Sequence, residues 1–294
     1  MKKLLLGIAA VCLAGFTFAQ DAPLWMRHSV ISPDGTTIAF TYKGDIYTVP
    51  VAGGRAMQIT TNPAYDTAPV WSPDSKRIAF ASDRMGSLDV YIVAKDGGEP
   101  RRLTTHSGSE TPLAFTDAGH VLFSAGIMPS AEAVVFPSNG QFNQVYRVSV
   151  EGGRPTMISS MPMECISINK EGAMLYQDKK GYEDYWRKHH VSPIARDIWM
   201  YTPGKEPQYR QLTTFGGEDR EPVWAPDGKT FYYLSEENGS FNIYRRTPGD
   251  AKAVQLTHYT KNPVRYLSAA TDGRLCYGFD GEIYTLLPGG EAQR

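Results

Sequence analysis

Cysteine is almost absent from this chain. Cys12, Cys165 and Cys276 are the only three among 294 residues. Thiols so far apart make neither a disulfide framework nor a Cys-x-x-Cys metal or redox pair, so Cys165 and Cys276 are expected to pack as small buried hydrophobes. A charge excess is lacking too. Thirty Lys and Arg stand against 31 Asp and Glu, for a formal net charge of −1. No basic surface therefore points to nucleic acid or to an anionic membrane. There is no Gly-x-Ser-x-Gly elbow, no His-Glu-x-x-His and no phosphate-cradling glycine loop. The pairs Gly53-Gly54, Gly97-Gly98 and Gly152-Gly153 read as turns. The six histidines (His28, His106, His120, His189, His190 and His258) show no metal-ligand spacing. By motif the chain offers no catalytic residue, no metal and no cofactor. After the first twenty residues it also lacks a long apolar run and sustained helical periodicity.

Those first residues read as an export signal. Lys2 and Lys3 precede an apolar stretch from Leu4 to Phe16, too short to span a bilayer comfortably. Thr17-Phe18-Ala19 supplies a cleavage site, so residues 1–19 are expected to be removed and the product to be periplasmic or extracellular. Ala9-Ala10-Val11 before Cys12 does not make a lipobox.

What the chain does contain is turns and aromatics: 28 Gly, 20 Pro, 17 Tyr, 12 Phe and 5 Trp. They are organised by a repeat. Val30-Ile31-Ser32-Pro33-Asp34-Gly35, Val70-Trp71-Ser72-Pro73-Asp74-Ser75 and Val223-Trp224-Ala225-Pro226-Asp227-Gly228 are copies of one phrase. Weaker copies centre on Asp117, Glu171 and Asp272. The six acidic anchors are separated by 40, 43, 54, 56 and 45 residues. Pro presets φ, Asp bonds nearby amides and Gly accepts a positive φ, which together specify a hairpin turn. A second phrase follows each turn, as in Asp45-Ile46-Tyr47, Asp89-Val90-Tyr91, Asp197-Ile198-Trp199 and Asn242-Ile243-Tyr244. A third follows a Gly-rich turn, as in Gln58-Ile59-Thr60, Arg102-Leu103-Thr104, Gln211-Leu212-Thr213 and Gln255-Leu256-Thr257. Met157-Ile158-Ser159 stands in its place in the third unit.

Each unit thus holds four short strands, and the spacing predicts an all-β, six-bladed β-propeller of four-stranded antiparallel blades over residues 20–294. Blades apolar on both faces bury them by stacking around an axis. The run Leu24 to Ile31 supplies the first inner strand. The last blade is expected to be incomplete. Gly289-Gly290-Glu291-Ala292-Gln293-Arg294 matches Gly97 to Arg102, and in the second unit Leu103-Thr104 come next. On this reading the parent protein continues past Arg294.

These phrases resemble the propeller repeats shared by TolB, tricorn protease and the oligopeptidases. The second unit carries the resemblance best, through Trp71-Ser72-Pro73-Asp74, Phe80-Ala81-Ser82-Asp83-Arg84 and Asp96 to Thr104. A narrower likeness lies in the fourth unit. The insertion from Tyr185 to Trp199 looks like that of exported bacterial tricorn-like serine peptidases. The resemblance implies a non-catalytic front propeller that filters or guides peptide substrates. The catalytic residues would lie in downstream domains of the parent. Two alternatives remain: a TolB-like periplasmic binding propeller, and the front of a prolyl-oligopeptidase-like hydrolase. The implied partners are a peptide or protein substrate and those downstream domains, with no nucleic acid and no membrane beyond export.

Two insertions interrupt the repeat. Arg187, Lys188, His189, His190 and Arg196 in the fourth unit are the candidate contacts for peptide or for a neighbouring domain, against the plainer reading of a solvated loop. The apolar stretch from Gly126 to Asn143 in the third unit reads as packing over a blade edge. Asp83-Arg84 reads as a turn ion pair rather than a charge pair at a channel mouth.

Overall fold

The aspartate anchors close their hairpins with the hydrogen bonds their phrases allow, and in the fourth unit Asn169 Oδ1, not Glu171, accepts the closing Ala173 N–H (2.9 Å). Ser32 Oγ donates to Asp34 Oδ1 (2.5 Å), and the same oxygen accepts the Thr36 N–H (3.0 Å). Ser32 Oγ in turn accepts the Thr37 N–H (3.0 Å). Ser72, Asp74, Lys76 and Arg77 repeat the arrangement. There the Ser72 hydroxyl, joined by the Lys76 amide, holds the Asp74 carboxyl below its ordinary range. Ala225 has no hydroxyl, and Asp227 takes both following amides itself, from Lys229 (2.9 Å) and Thr230 (2.8 Å). Gly35 and Gly228 turn with φ of 72° and 66°, and Ser75 is held at 58° in the same place.

The computed structural model describes residues 25–126, 143–181 and 191–294. The signal-like residues 1–19 lie outside that range. Six antiparallel sheets follow one another along the chain. Blade one is β1 (Arg27–Ile31), β2 (Thr37–Tyr42), β3 (Asp45–Pro50) and β4 (Met57–Gln58). Blade two is β5 (Asp66–Trp71), β6 (Arg77–Ser82), β7 (Asp89–Ala94) and β8 (Arg101–Arg102). Blade three is β9 (Glu110–Asp117), β10 (His120–Ala125), β11 (Gln144–Ser149) and β12 (Thr156–Ser159). Blade four is β13 (Met163–Ile168), β14 (Met174–Asp178), β15 (Ile198–Thr202) and β16 (Gln208–Gln211). Blade five is β17 (Asp219–Trp224), β18 (Phe231–Ser235), β19 (Asn242–Arg246) and β20 (Val254–Gln255). Blade six has three strands, β21 (Arg265–Ala269), β22 (Leu275–Phe279) and β23 (Glu282–Leu286). A lone bridge from Thr285 to Gln293 marks where a fourth would run. No helix occurs among the described residues.

The recurrent Leu-Thr phrase has a structural reason. Its threonine hydroxyl accepts the N–H that opens the third strand of its own blade. Thr60 takes it from Ile46 (3.0 Å), and Thr104, Thr213 and Thr257 from Val90, Ile198 and Ile243 (2.9 Å each). A buried donor beyond the reach of the short outer strand is thereby satisfied.

The core is divided among the blade junctions. Six buried apolar clusters each join residues of two adjacent blades. The phrase tryptophans span these junctions: Trp71 Nε1 donates to Val30 O (3.0 Å) and Trp224 Nε1 to Ala173 O (3.2 Å). The junction of blade six with blade one is the thinnest, with Ile31, Ile38, Ala270 and Cys276 as its buried members. No strand is shared across it. Polar bonds reinforce it instead: Thr271 N–H to Pro33 O (2.9 Å), the Thr271 hydroxyl to the same oxygen (2.6 Å), and Ile31 N–H to Ser268 Oγ (3.1 Å). Five acidic anchors sit between the first and second strands of their blades and Asp117 ends the first strand of its own, so all six share one rim of the ring.

Candidate functional site in the central ring

The first strand of each blade is the innermost one, and each touches its counterparts in the two neighbouring blades, so β1, β5, β9, β13, β17 and β21 form a closed inner wall. Every one of them breaks register at a bulge. Five of the bulges hold a non-glycine residue in the left-handed region: His28 (φ 49°), Ala68 (51°), Cys165 (51°), Glu221 (50°) and Tyr266 (59°). Each such residue costs about 1–3 kcal/mol unless its surroundings enforce it. In blade three the bulge lies between Pro112 and Ala114, where the proline ring keeps φ negative. A bulge re-aims its side chain out of the ordinary pleat. Five blades therefore present a re-aimed side chain at one level of the wall, near the rim opposite the acidic anchors.

Two polar networks tie these positions across blades. His28 Nδ1 shares a hydrogen bond with Thr67 Oγ1 (3.0 Å), and its ring stands edge-on to Tyr266 at 5.0 Å, so blades six, one and two meet there. Burial, aided by the Arg27 charge, pushes His28 down to about 4, and the imidazole is neutral at pH 7. On the other side Arg196 Nε donates to Glu164 Oε2 (3.1 Å) and its Nη1 to Glu218 Oε1 (3.2 Å). Arg220, 2% exposed, bonds the second oxygen of Glu218 and lies over the Phe241 ring at 5.1 Å. Gln177 donates to Glu164 (3.0 Å) and accepts the Glu221 N–H (2.9 Å). Glu221 Oε2 then accepts the Leu267 N–H (2.8 Å). One chain of contacts runs from blade four to blade six. Burial works to raise the Glu164 carboxyl. The Arg196 charge, the Gln177 amide and Lys179 outweigh it and hold Glu164 below its usual range.

Cys165 departs from the sequence expectation. Cys276 is buried, whereas Cys165 is exposed. Cys165 sits at the bulge of an innermost strand. Protein nevertheless closes around the thiol; that enclosure, with Glu221 and Glu164, pushes Cys165 well above the ordinary thiol range. The thiol is therefore weakly nucleophilic. Both cysteines are free. Among the described residues no three His, Cys, Asp or Glu side chains converge as metal ligands.

This is the frame in which the relatives fit. Residues 23–292 match the family described as the tricorn protease N-terminal beta propeller domain. The chain belongs to that family. Tricorn protease homolog 1 of Streptomyces coelicolor is 27% identical over 278 residues, covering 93% of this chain and 25% of that protein. The crystal structure of tricorn protease superposes with a TM-score of 0.75 at 18% identity, over 92% of this chain and 26% of that one. TolB from Acinetobacter baumannii shares the fold at a TM-score of 0.68 and 15% identity, over 89% of this chain and 63% of that one. This tricorn-type propeller thus spans about a quarter of its tricorn homologue's length.

The residues singled out in the sequence are distributed as follows. Arg196 is buried in the ion network just described rather than displayed on a lip. Arg187, Lys188, His189 and His190 lie outside the described residues, as does most of the stretch from Gly126 to Asn143. Arg84 does not pair with its neighbour Asp83. It reaches Asp66 on the innermost strand with both oxygens in contact (3.0 and 3.1 Å), and Asp83 caps the Tyr65 N–H instead (2.7 Å). The bulge positions were missed because the repeat was aligned on its turns. The signal was available, since the bulge residue keeps a fixed distance before the acidic anchor in five blades. A cleft of about 500 Å³ on blade five, between Pro226, Asp227, Arg245 and Lys252, lies apart from the inner wall.

Proposed function

We propose that this tricorn-type propeller is an exported, non-catalytic module that guides extended peptides toward the serine peptidase core of a larger parent protein. One observation carries the reading. The inner wall gathers His28, Cys165, Glu221 and Tyr266 from four blades at one level, on strands rigidly bonded across the blades, with no nucleophile–base pair among them. A ring of re-aimed polar and aromatic groups suits main-chain and side-chain contacts to an unfolded segment, and its closure excludes a folded domain. Family membership supports a protease context, while the chemistry is assigned to parts of the parent outside this chain. The test is fluorescence anisotropy with a labelled unfolded peptide, competed by the same sequence unfolded or within a folded protein. Competition by the unfolded form alone is expected. Equal competition by the folded protein would overturn the reading.

A further inference from the structure

The blade junctions carry a repeated device that the peptide-guiding reading does not use. At four junctions the chain preceding the third strand of one blade accepts a main-chain hydrogen bond from the start of the next inner strand. The bonds are Asp66 N–H to Gly44 O (2.7 Å), Glu110 N–H to Leu88 O (2.7 Å), Asp219 N–H to Arg196 O (3.0 Å) and Val264 N–H to Phe241 O (3.0 Å). Each stitch brings two side-chain positions together. At three of them both positions are acidic: Asp45 with Asp66, Asp89 with Glu110, and Asp197 with Asp219. At the fourth they are Asn242 and Val264. Between blades three and four the corresponding residues are Gln144 and Met163. At these five junctions, an acid on the inner strand occurs where its partner is an acid and not where the partner is an amide; where Glu282 opens the third strand of blade six, the equivalent inner position of blade one is Met26.

The charges at these joints do not balance if every carboxyl is ionised. Asp66, Asp89 and Glu110 are 0%, 0% and 1% exposed, Asp219 is 1% and Asp197 5%. Each pair has one close cation: Arg84 on Asp66 (3.0 Å), Arg102 on Asp89 (2.9 Å) and Lys180 on Asp197. Arg84 grips both oxygens of Asp66, while Gln58 and Thr60 reach Asp45 (3.1 and 3.2 Å). The other two joints are poorer. Around Glu110 stand Asp89 and Thr104 within reach and the backbone of His106, but no well-formed hydrogen bond reaches either carboxyl of the pair. Around Asp219 stand Thr213, Ser235, Asp197 and Glu237, with Asp178 bonded to the Asp197 N–H (2.8 Å) and Gln211 to its carboxyl (2.9 Å). Two buried anions beside one cation leave an uncompensated charge, which a protein interior avoids by binding a proton.

We infer that the Asp89–Glu110 and Asp197–Asp219 pairs are proton-linked joints, each binding one proton that holds its two blades together and that is released as the solution turns alkaline. The same direction follows from burial. Desolvation raises Glu110 to about 7, with Asp89 adding to it, and raises Asp219 to about 7, with Asp197 and Glu237 adding. In the unfolded chain these groups return to their ordinary values of 4.5 and 3.8. Over the window between, the folded ring binds protons that the unfolded chain does not. Stability is therefore greatest on the acid side of that window and falls as pH rises through about 7.

The experiment is a pair of thermal melts across pH 5 to 8 on this chain and on a Glu110→Gln, Asp219→Asn variant, whose amides mimic the protonated acids. The wild type should melt several degrees lower at pH 8 than at pH 5. The variant should be flatter and should exceed the wild type at pH 8. Groups common to both proteins contribute equally to both slopes, so the difference between the two slopes is the readout. Parallel slopes would overturn the proposal. Should the variant fail to fold, the infrared spectrum of the wild type at pH 6 decides. A protonated carboxyl band that disappears by pH 8 is expected, and its absence at pH 6 would refute the inference. Neither result bears on peptide binding, so this proposal and the functional reading fail separately.

Discussion

Replacing Glu218 with Gln strips a carboxylate that both Arg196 and Arg220 bond. Glu218 is 0% exposed; Arg196 and Arg220 are 6% and 2%. The substitution keeps the shape and one acceptor oxygen, so packing changes little and the effect is electrostatic. Arg196 keeps Glu164 at 3.1 Å, but the anion that lies between Arg196 and Arg220 is lost in a buried site. Breaking a buried pair in this way costs about 3–5 kcal/mol, set against a total stability of about 5–15 kcal/mol for a typical domain. At about 2–4 °C per kcal/mol for a large domain, the melting temperature should fall by roughly 6–20 °C. Urea unfolding followed by tryptophan fluorescence measures the loss directly, because Trp224 lies in the same blade. The control is Glu151→Gln. Its pair with Arg101 at 2.7 Å is just as short but solvent-exposed, so no measurable change is expected there. A loss of less than about 1 kcal/mol in Glu218→Gln would show that the network does not hold blades four and five together.

Further outcomes follow from the same contacts. Thr104→Val keeps the volume but leaves the buried Val90 N–H without its acceptor (2.9 Å); denaturant melts should show a loss of about 1–3 kcal/mol, with no change in the m-value. Cys165→Gly should be less damaging than Cys165→Val, since φ of 51° suits glycine and not a β-branched residue; the reverse order would refute the strain argument. Ser268→Ala removes the acceptor of the Ile31 N–H at the thinnest junction (3.1 Å), and hydrogen exchange should rise in β1 and β21 before other strands. The purified chain should not hydrolyse peptides; turnover that survives repurification would place catalytic groups within it.

The turns were the most legible feature. Pro33-Asp34-Gly35 and its copies carry their hydrogen bonds within a few residues, and what is local in space is local in sequence. The same holds for the Leu-Thr phrase, whose hydroxyl bonds inside its own blade. The three-stranded sixth blade was legible because the repeat after Gly289 runs out before its Leu-Thr. The inner wall was not. Arg196 was noticed as part of a basic insertion, but its partners Glu164 and Glu218 lie 32 and 22 residues away, and only the folding of blade four and its stacking on blade five bring them together. The acid pairs stayed hidden for a related reason. Asp89 and Asp197 were read as the opening of a strand phrase, and only the stitch between blades shows what each one faces. The positive φ values at His28, Cys165 and Tyr266 go against residue preference and are imposed by the bulges, so propensity could not reveal them.

The central claim is that an extended peptide lies against the inner wall. Photo-crosslinking tests it most directly: an unfolded peptide carrying a benzophenone is irradiated with this chain, and the attachment sites are mapped by mass spectrometry. Attachment concentrated on β1, β13, β17 and β21, near His28, Cys165, Glu221 and Tyr266, is the predicted result. Attachment confined to the outer strands, or to the cleft around Arg245 and Lys252 on blade five, would contradict it.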